Sequence, residues 1–177
     1  MTRSRREVVA LEVAQFVPVV AFAFRFLLAG EVDLAQAGPQ FVLGAALALG
    51  VLGVVLARRA PVNPILLGAD LWLAVGAVGF GAPIPAVAAA VGELAGSGLF
   101  AAILLAGIGA TVVSPRGFVG APVDRRWSWA LVGLTAALVV YTWWMRHDVR
   151  LGGGLPFIVL NLVRRGLGLR LPRVEGV

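Results

Sequence analysis

The side chains that could do chemistry in this sequence are few, and the ionisable ones of interest lie inside strongly apolar stretches. Glu12, Arg25, Asp70 and Glu93 each interrupt a run of apolar residues. Placing a charged side chain in a lipid bilayer costs on the order of 3 kcal/mol on insertion scales. Such residues are expected where they pair with one another, face water or carry out a function, so these four form the candidate site.

Arg25, Asp70 and Glu93 fall at overlapping depths when the apolar runs are interpreted as membrane spans. We therefore predict an intramembrane charge network in which Arg25 pairs with Asp70, with Glu93 or with both. In one interpretation this pairing neutralises the charges and fixes helix packing. In the other, Asp70 or Glu93 is a buried acid that carries a proton or a cation, as expected of a small transporter or channel.

Glu12 lies near the cytoplasmic end of the first apolar run, and we predict that it is an acid of the inner interface. It is within reach of Arg58, Arg59 or Arg165, which follow other apolar runs. A glutamate at this depth can also extend its carboxylate to the headgroup region without a partner. Both arrangements are structural.

No residue pattern in the sequence indicates an enzyme. The chain has no cysteine, which excludes disulfides, zinc–thiolate sites and thiol catalysis. Ser97 could act as a nucleophile only beside a base, and the single histidine, His147, lies in a charged segment beyond an apolar run. The sequence also lacks metal-ligand motifs and glycine-rich phosphate loops. We predict no catalytic residue, no metal and no cofactor.

The composition indicates which elements carry these residues. Of the 177 residues, 60% are hydrophobic and 14% are charged, whereas an ordinary soluble domain is about half apolar and a quarter charged. A single transmembrane domain covering residues 1–177 is therefore predicted, with the lipid bilayer as its solvent. The net charge of +6 comes from arginines at the ends of apolar runs, so nucleic acid is not a predicted partner.

The apolar runs predict an all-α bundle of about six transmembrane helices. The predicted spans cover residues 8–28, 40–56, 64–80, 86–113, 127–145 and 151–163. Asn63 and Pro64 mark the start of the third span, because asparagine caps free N–H groups and proline is tolerated at the first helical position. The last span is short and contains three glycines at 152–154 and Pro156, so a re-entrant hairpin is an alternative.

The distribution of arginines favours six spans over five. With the N-terminal tail, residues 1–7, in the cytoplasm, six spans place twelve arginines inside, including those of a basic C-terminal tail at 164–177, and only Arg146 and Arg150 outside. Five spans would place eight inside and six outside, and the positive-inside rule prefers the first division. We predict a multi-pass protein of the bacterial cytoplasmic membrane.

Small residues recur at four-residue spacing on two of the predicted spans. Ala88, Gly92 and Gly96 lie on one face of the fourth span, and Ala46 and Gly50 lie on one face of the second. Such spacing allows membrane helices to approach closely. The sequence leaves open whether the partner helix belongs to the same chain, to a second copy or to another membrane protein.

Two stretches of the sequence resemble a known family. Residues 16–22 (FVPVVAF), followed by residues 25–28 (RFLL), are similar to the opening of the bacterial intracellular septation protein A family. Residues 125–130 (RRWSWA), which enter a late span, are loosely similar too. The resemblance implies a small inner-membrane protein that maintains the cell envelope or septation through protein contacts, and it transfers no catalytic residue. Another bacterial membrane family of similar build is the alternative.

The sequence therefore favours a non-enzymatic inner-membrane protein with a structural or interaction role in the cell envelope, or an accessory subunit of a membrane complex. Short loops and the lack of catalytic motifs support this hypothesis. The alternative is a small transporter or channel that uses Asp70 or Glu93.

Overall fold

The computed structural model describes residues 5–29, 37–82, 84–148 and 150–170, with the backbone alone for residues 5, 6, 8, 24–29, 95 and 170. Over these residues the chain is helical and contains no strand, which confirms the predicted all-α class. The described residues form the α-helices α1 (Arg5–Ala14), α2 (Val17–Ala29), α3 (Gly38–Ala57), α4 (Pro64–Gly81), α5 (Pro85–Val113), α6 (Arg125–Trp144) and α7 (Leu155–Arg170).

Four segments are long and apolar enough to cross a membrane. They are α3, α4, α6 and the Gly96–Val113 part of α5. These four segments support the predicted membrane helix bundle. The predicted count of six spans is not confirmed, because α2 has 13 residues and α7 has 16.

The first predicted span, residues 8–28, is not one continuous helix. α1 ends at Ala14 and α2 begins at Val17, with a two-residue turn between them. Pro18 accounts for the interruption, because proline has no N–H group and its ring clashes with the carbonyl four residues earlier, which is that of Ala14. The single long helix predicted from hydropathy is therefore two short ones.

α5 is the longest helix and the centre of the packing. Its 29 residues extend over about 43 Å at 1.5 Å per residue, which exceeds the roughly 30 Å of a bilayer's hydrocarbon core. α4 and α6 pack on α5, and α3 packs on α4. The larger buried cluster joins α4, α5, α6, α7 and the connection between α5 and α6. It comprises Ile65, Phe100, Ile103, Phe118, Val119, Val123, Leu131, Val132 and Leu160.

The connection between α5 and α6, residues 114–124, folds back onto the bundle. Phe118 and Val119 are buried, and the Phe118 ring lies directly beside Gly107 of α5. Gly117 and Gly120 have φ angles of 55° and 79°, a conformation that glycine adopts without strain. The segment that the predicted spans left as a connection therefore contributes to the core.

The final segment is more regular than predicted. The three glycines belong to a π-helical turn, Arg150–Gly154, which leads directly into α7. Asp148 accepts hydrogen bonds from the backbone N–H groups of Arg150 and Leu151, at 2.9 and 3.0 Å, and so caps this turn. The glycines continue the helix rather than breaking it.

One end of the bundle is rich in arginine, and we call it the basic end. Hydrogen bonds join its parts: the Gln15 side chain bonds to Pro61 between α3 and α4, and Arg164 of α7 bonds to Phe118 in the α5–α6 connection. The described arginines of the basic end are Arg58, Arg59, Arg116, Arg125, Arg126, Arg164 and Arg165.

Candidate functional site

Asp70 is the predicted site residue with the most unusual surroundings. It lies on α4 and is partly buried, and its Oδ1 atom is enclosed without a hydrogen-bond partner in the described part of the chain. A buried carboxylate oxygen without a partner is costly, because it loses its hydration and gains no hydrogen bond in return. Asp70 is therefore not explained by local hydrogen bonding.

The structure does not bring Glu93 to Asp70. Close packing of Gly68 on Ile103 and of Trp72 on Gly98 places Asp70 opposite the 98–103 part of α5. Glu93 precedes this part by at least five residues, roughly 8 Å along the helix axis, and its side chain is exposed. The two carboxylates are thus separate groups.

Arg25, the third member of the predicted network, lies on α2. Only its backbone is among the described residues. The pairing of Arg25 with Asp70 or Glu93 stays a prediction.

Glu12 lies on the exposed side of α1, and the arginine on which its charge acts is Arg164 of α7. Arg58, Arg59 and Arg165 were predicted to lie within its reach, and an interaction with them stays a prediction. Burial lowers the pKa of the Arg164 guanidinium to about 10, and the charge of Glu12 raises that pKa in partial compensation. Arg164 therefore remains charged near neutral pH.

Arg164 and Arg125 hold the α5–α6 connection in place. Arg164 donates from Nε to the Phe118 carbonyl oxygen at 3.2 Å. Arg125 donates to the Thr111 carbonyl oxygen, at 2.9 Å from Nε, and to that of Val112, at 2.8 Å from Nη2. The last carbonyls of a helix lack partners within it, so Arg125 caps α5 with a positive charge at the favourable end of the helix dipole.

Gln15 was missed by the sequence analysis, although it is the polar centre of the first helix break. Its side-chain amide is buried and donates to the carbonyl oxygens of Leu11 and Pro61, both at 3.3 Å. Its Oε1 accepts a hydrogen bond from the Asn63 N–H at 2.8 Å. A lone glutamine three residues before a proline in an apolar run was the signal in the sequence.

Ser97 and His147 do not form a nucleophile–base pair. The Ser97 hydroxyl is buried and donates to the Leu94 carbonyl oxygen of its own helix, while His147 is exposed. Among the described residues, no group of three histidine, aspartate or glutamate side chains could hold a metal ion.

The two stripes of small residues differ in what they contact. On α5, a Cβ added at Gly96 would collide with the backbone of Gly152, and Ala88 lies against Gly79 of α4; Gly92 is half-buried. On α3, Ala46 and Gly50 are exposed, and a Cβ added at Gly50 would meet nothing within 4 Å. The α5 stripe therefore packs within the chain, whereas the α3 stripe is open.

Comparisons with known proteins identify no relative: no family model, no curated protein and no solved structure matches the chain. The class that the fold itself defines is an all-α protein with four helices able to span a membrane. Its role has to be argued from the surfaces and polar groups described above.

Proposed function

We propose that this chain is a non-enzymatic integral membrane protein that acts through helix contacts with a second copy or with other membrane proteins. The observation that supports the proposal is the outward face of α3. Ala46, Gly50, Gly53 and Ala57 follow one another along this face, and all four are exposed. Nothing lies within 4 Å of a Cβ added at Gly50 or Gly53.

The opposite side of α3 shows how this chain uses glycine. Gly44 lies against the Leu73 side chain of α4, 3.1 Å from the position of an added Cβ. Glycine in a helix costs up to about 1 kcal/mol relative to alanine, and in membranes close packing offsets that cost. A partner helix on the open face would offset the cost of Gly50 and Gly53 in the same way.

The topology that accompanies this proposal has six spans, with the N-terminus in the cytoplasm of a bacterium. It is supported by the continuous helical path from the turn Arg150–Gly154 into α7, which passes through the predicted last span, residues 151–163, without a break. It is also supported by the arginines of the basic end, which the positive-inside rule assigns to the cytoplasm. The resemblance to the septation protein A family adds a role in envelope maintenance or septation.

The experiment that tests the proposal compares Gly50→Leu with Gly109→Leu. Gly109 of α5 is also exposed, and a Cβ added there would meet nothing within 4 Å. The residues one helical turn before and after it are the large side chains Leu105 and Val113, exposed at 70% and 84%, unlike the small residues that flank Gly50. We expect Gly50→Leu to change the mass of the complex purified in mild detergent, because a leucine blocks close approach of a second helix. Gly109→Leu should leave that mass unchanged. An equal mass for wild type and Gly50→Leu contradicts the proposal.

A second candidate function is a small transporter or channel that uses Asp70, with Glu93 in a lesser role. The observation that favours it is the enclosed Oδ1 atom of Asp70 without a hydrogen-bond partner among the described residues. Acids of this kind inside membrane helices are typical of proton and ion pathways. Glu93 is exposed on α5, and it has no comparable feature.

We expect Asp70→Asn to fold as well as the wild type, because the enclosed Oδ1 atom has no hydrogen bond to lose among the described residues. The melting temperature in detergent measures the stability of the variant. Proton flux into liposomes under a pH gradient distinguishes a transporter from a protein that acts through helix contacts. Flux through the wild type that Asp70→Asn abolishes and Glu93→Gln retains would establish the transporter. A clear drop in the melting temperature of Asp70→Asn would show instead that Asp70 stabilises the fold.

A further inference from the structure

The exposed arginines of the basic end divide into those with a partner and those without. Arg126 forms an ion pair with Asp124 at 3.1 Å, and both side chains are more than half exposed. The side chains of Arg58, Arg116 and Arg165 are exposed, and none of the three has an ion-pair partner within the described ranges. Since Arg125 and Arg164 are bound to backbone carbonyls, these three are the cations of the basic end that the described part of the chain leaves available.

Each of these three arginines follows an exposed apolar surface on a different helix. Leu56 of α3, 59% exposed, precedes Arg58, and Val113 of α5, 84% exposed, precedes Arg116. Leu162 of α7, 64% exposed, precedes Arg165. Apolar side chains at such exposure in a membrane helix face lipid tails, so each guanidinium lies where the lipid-facing surface ends.

The three arginines also lie at the same end of the bundle. The ends of α5 and α7 are joined by the hydrogen bond from Arg164 to Phe118. The α3–α4 connection is joined to the α1–α2 turn by Gln15, and Glu12 of α1 acts electrostatically on Arg164. At the opposite end, Arg146 lies over the Trp143 ring at 4.6 Å.

We propose that the basic end binds the phosphate groups of anionic phospholipids through Arg58, Arg116 and Arg165. A guanidinium donates two parallel hydrogen bonds to a phosphate, and it is more weakly hydrated than an ammonium group. Basic residues at the membrane surface contribute about 1 kcal/mol each to binding of anionic lipid. The position of each arginine beside a lipid-facing surface selects a headgroup phosphate over a phosphate in solution.

The test titrates purified protein in a neutral detergent with phosphatidylglycerol and counts bound lipids by native mass spectrometry. The variant is the triple change Arg58→Gln, Arg116→Gln and Arg165→Gln. Its control is the double change Arg146→Gln and Arg150→Gln at the opposite end. We expect the triple variant to bind phosphatidylglycerol about 100-fold more weakly than wild type, because it loses the contributions of three arginines to the binding of anionic lipid. The control should bind as wild type does.

Three outcomes would overturn the proposal. The first is equal binding of phosphatidylcholine and phosphatidylglycerol by the wild type, which would remove the charge preference. The second is unchanged phosphatidylglycerol binding by the triple variant. The third is displacement of the lipid by millimolar inorganic phosphate, which would assign the site to a soluble anion. If the triple variant does not fold, the three single variants are compared, each expected to bind about fivefold more weakly.

Discussion

We expect Gly68→Ala to destabilise the protein by on the order of 3 kcal/mol, the upper part of the usual range for overpacking. The added Cβ would collide with Ile103 of α5, including its backbone nitrogen at 2.7 Å, and with the Ala102 carbonyl oxygen at 2.9 Å. All of these atoms belong to the backbone, so no side-chain rotation relieves the collision. α4 and α5 would have to separate, and the melting temperature in detergent should fall by many degrees.

Gly109→Ala is the matched control for this prediction. Gly109 also lies within a membrane helix and outside the proposed α3 interface, and an added Cβ there meets nothing within 4 Å. Since alanine favours helix more than glycine by about 1 kcal/mol, Gly109→Ala should melt at or above the wild-type temperature. A Gly68→Ala protein that melts with the wild type would show that α4 and α5 are packed less closely than the structure has them.

The second large effect is expected for Gln15→Leu, at about 1–3 kcal/mol of destabilisation. Leucine is close in size, but it leaves the Asn63 N–H without its acceptor and the Pro61 carbonyl oxygen without its side-chain donor. A polar group left unsatisfied costs this much where water cannot reach it, and Asn63 is partly buried, whereas Pro61 is exposed. Because these hydrogen bonds join the α1–α2 turn to the start of α4, their loss should also free α1 from the bundle.

The measurement is the melting temperature together with protease sensitivity near residue 15. Asn161→Leu is the control, because among the described residues the Asn161 amide donates only to the Phe157 carbonyl oxygen of its own helix, at 3.0 Å. Gln15→Leu should lower the melting temperature clearly, and Asn161→Leu should lower it little. Equal effects of the two changes would mean that the Gln15 hydrogen bonds between segments add nothing to stability.

The class of fold could be predicted from the sequence because it depends on composition and helix-end signals. Apolar runs of about 20 residues satisfy their backbone hydrogen bonds inside a bilayer only as helices or closed barrels. Asn63 and Pro64 were predicted to start a helix, and α4 does begin at Pro64 with the Asn63 side chain accepting from the Ile65 N–H at 3.1 Å. These are local effects, and local sequence determines them.

The interruptions of the fold were harder to predict because tertiary contacts decide them. A proline such as Pro18 can bend a helix or divide it into two. Here the helix is divided, and Gln15 in the turn between the two helices forms hydrogen bonds with Pro61 and Asn63. The 114–124 connection lies between two predicted spans, yet Phe118 is buried in the core because Gly107 leaves room for its ring. The glycines at 152–154 are typical of a break in a helix. They continue the helix instead, because Gly152 packs on Gly96.

The candidate site was predictable only in part. The sequence marks Asp70 as an acid inside a membrane helix, and the lack of a hydrogen-bond partner for its Oδ1 atom within the described residues becomes visible only in the structure. Glu12 was expected near other arginines, but it is the packing of α7 that brings Arg164 under its influence. Spacing along a chain identifies charged residues, whereas their partners depend on how helices from distant parts of the sequence pack.

The outward face of α3 is proposed to contact another membrane protein or a second copy of this chain. Single-cysteine cross-linking in native membranes tests it most directly, because the chain has no cysteine of its own. We expect Gly50→Cys to give a cross-linked species of defined mass on oxidation or with a short bifunctional reagent, and Gly109→Cys to give none. A Gly50→Cys protein that stays uncross-linked and reacts freely with a lipid-phase thiol reagent would show that lipid alone covers this face and that no partner helix binds there.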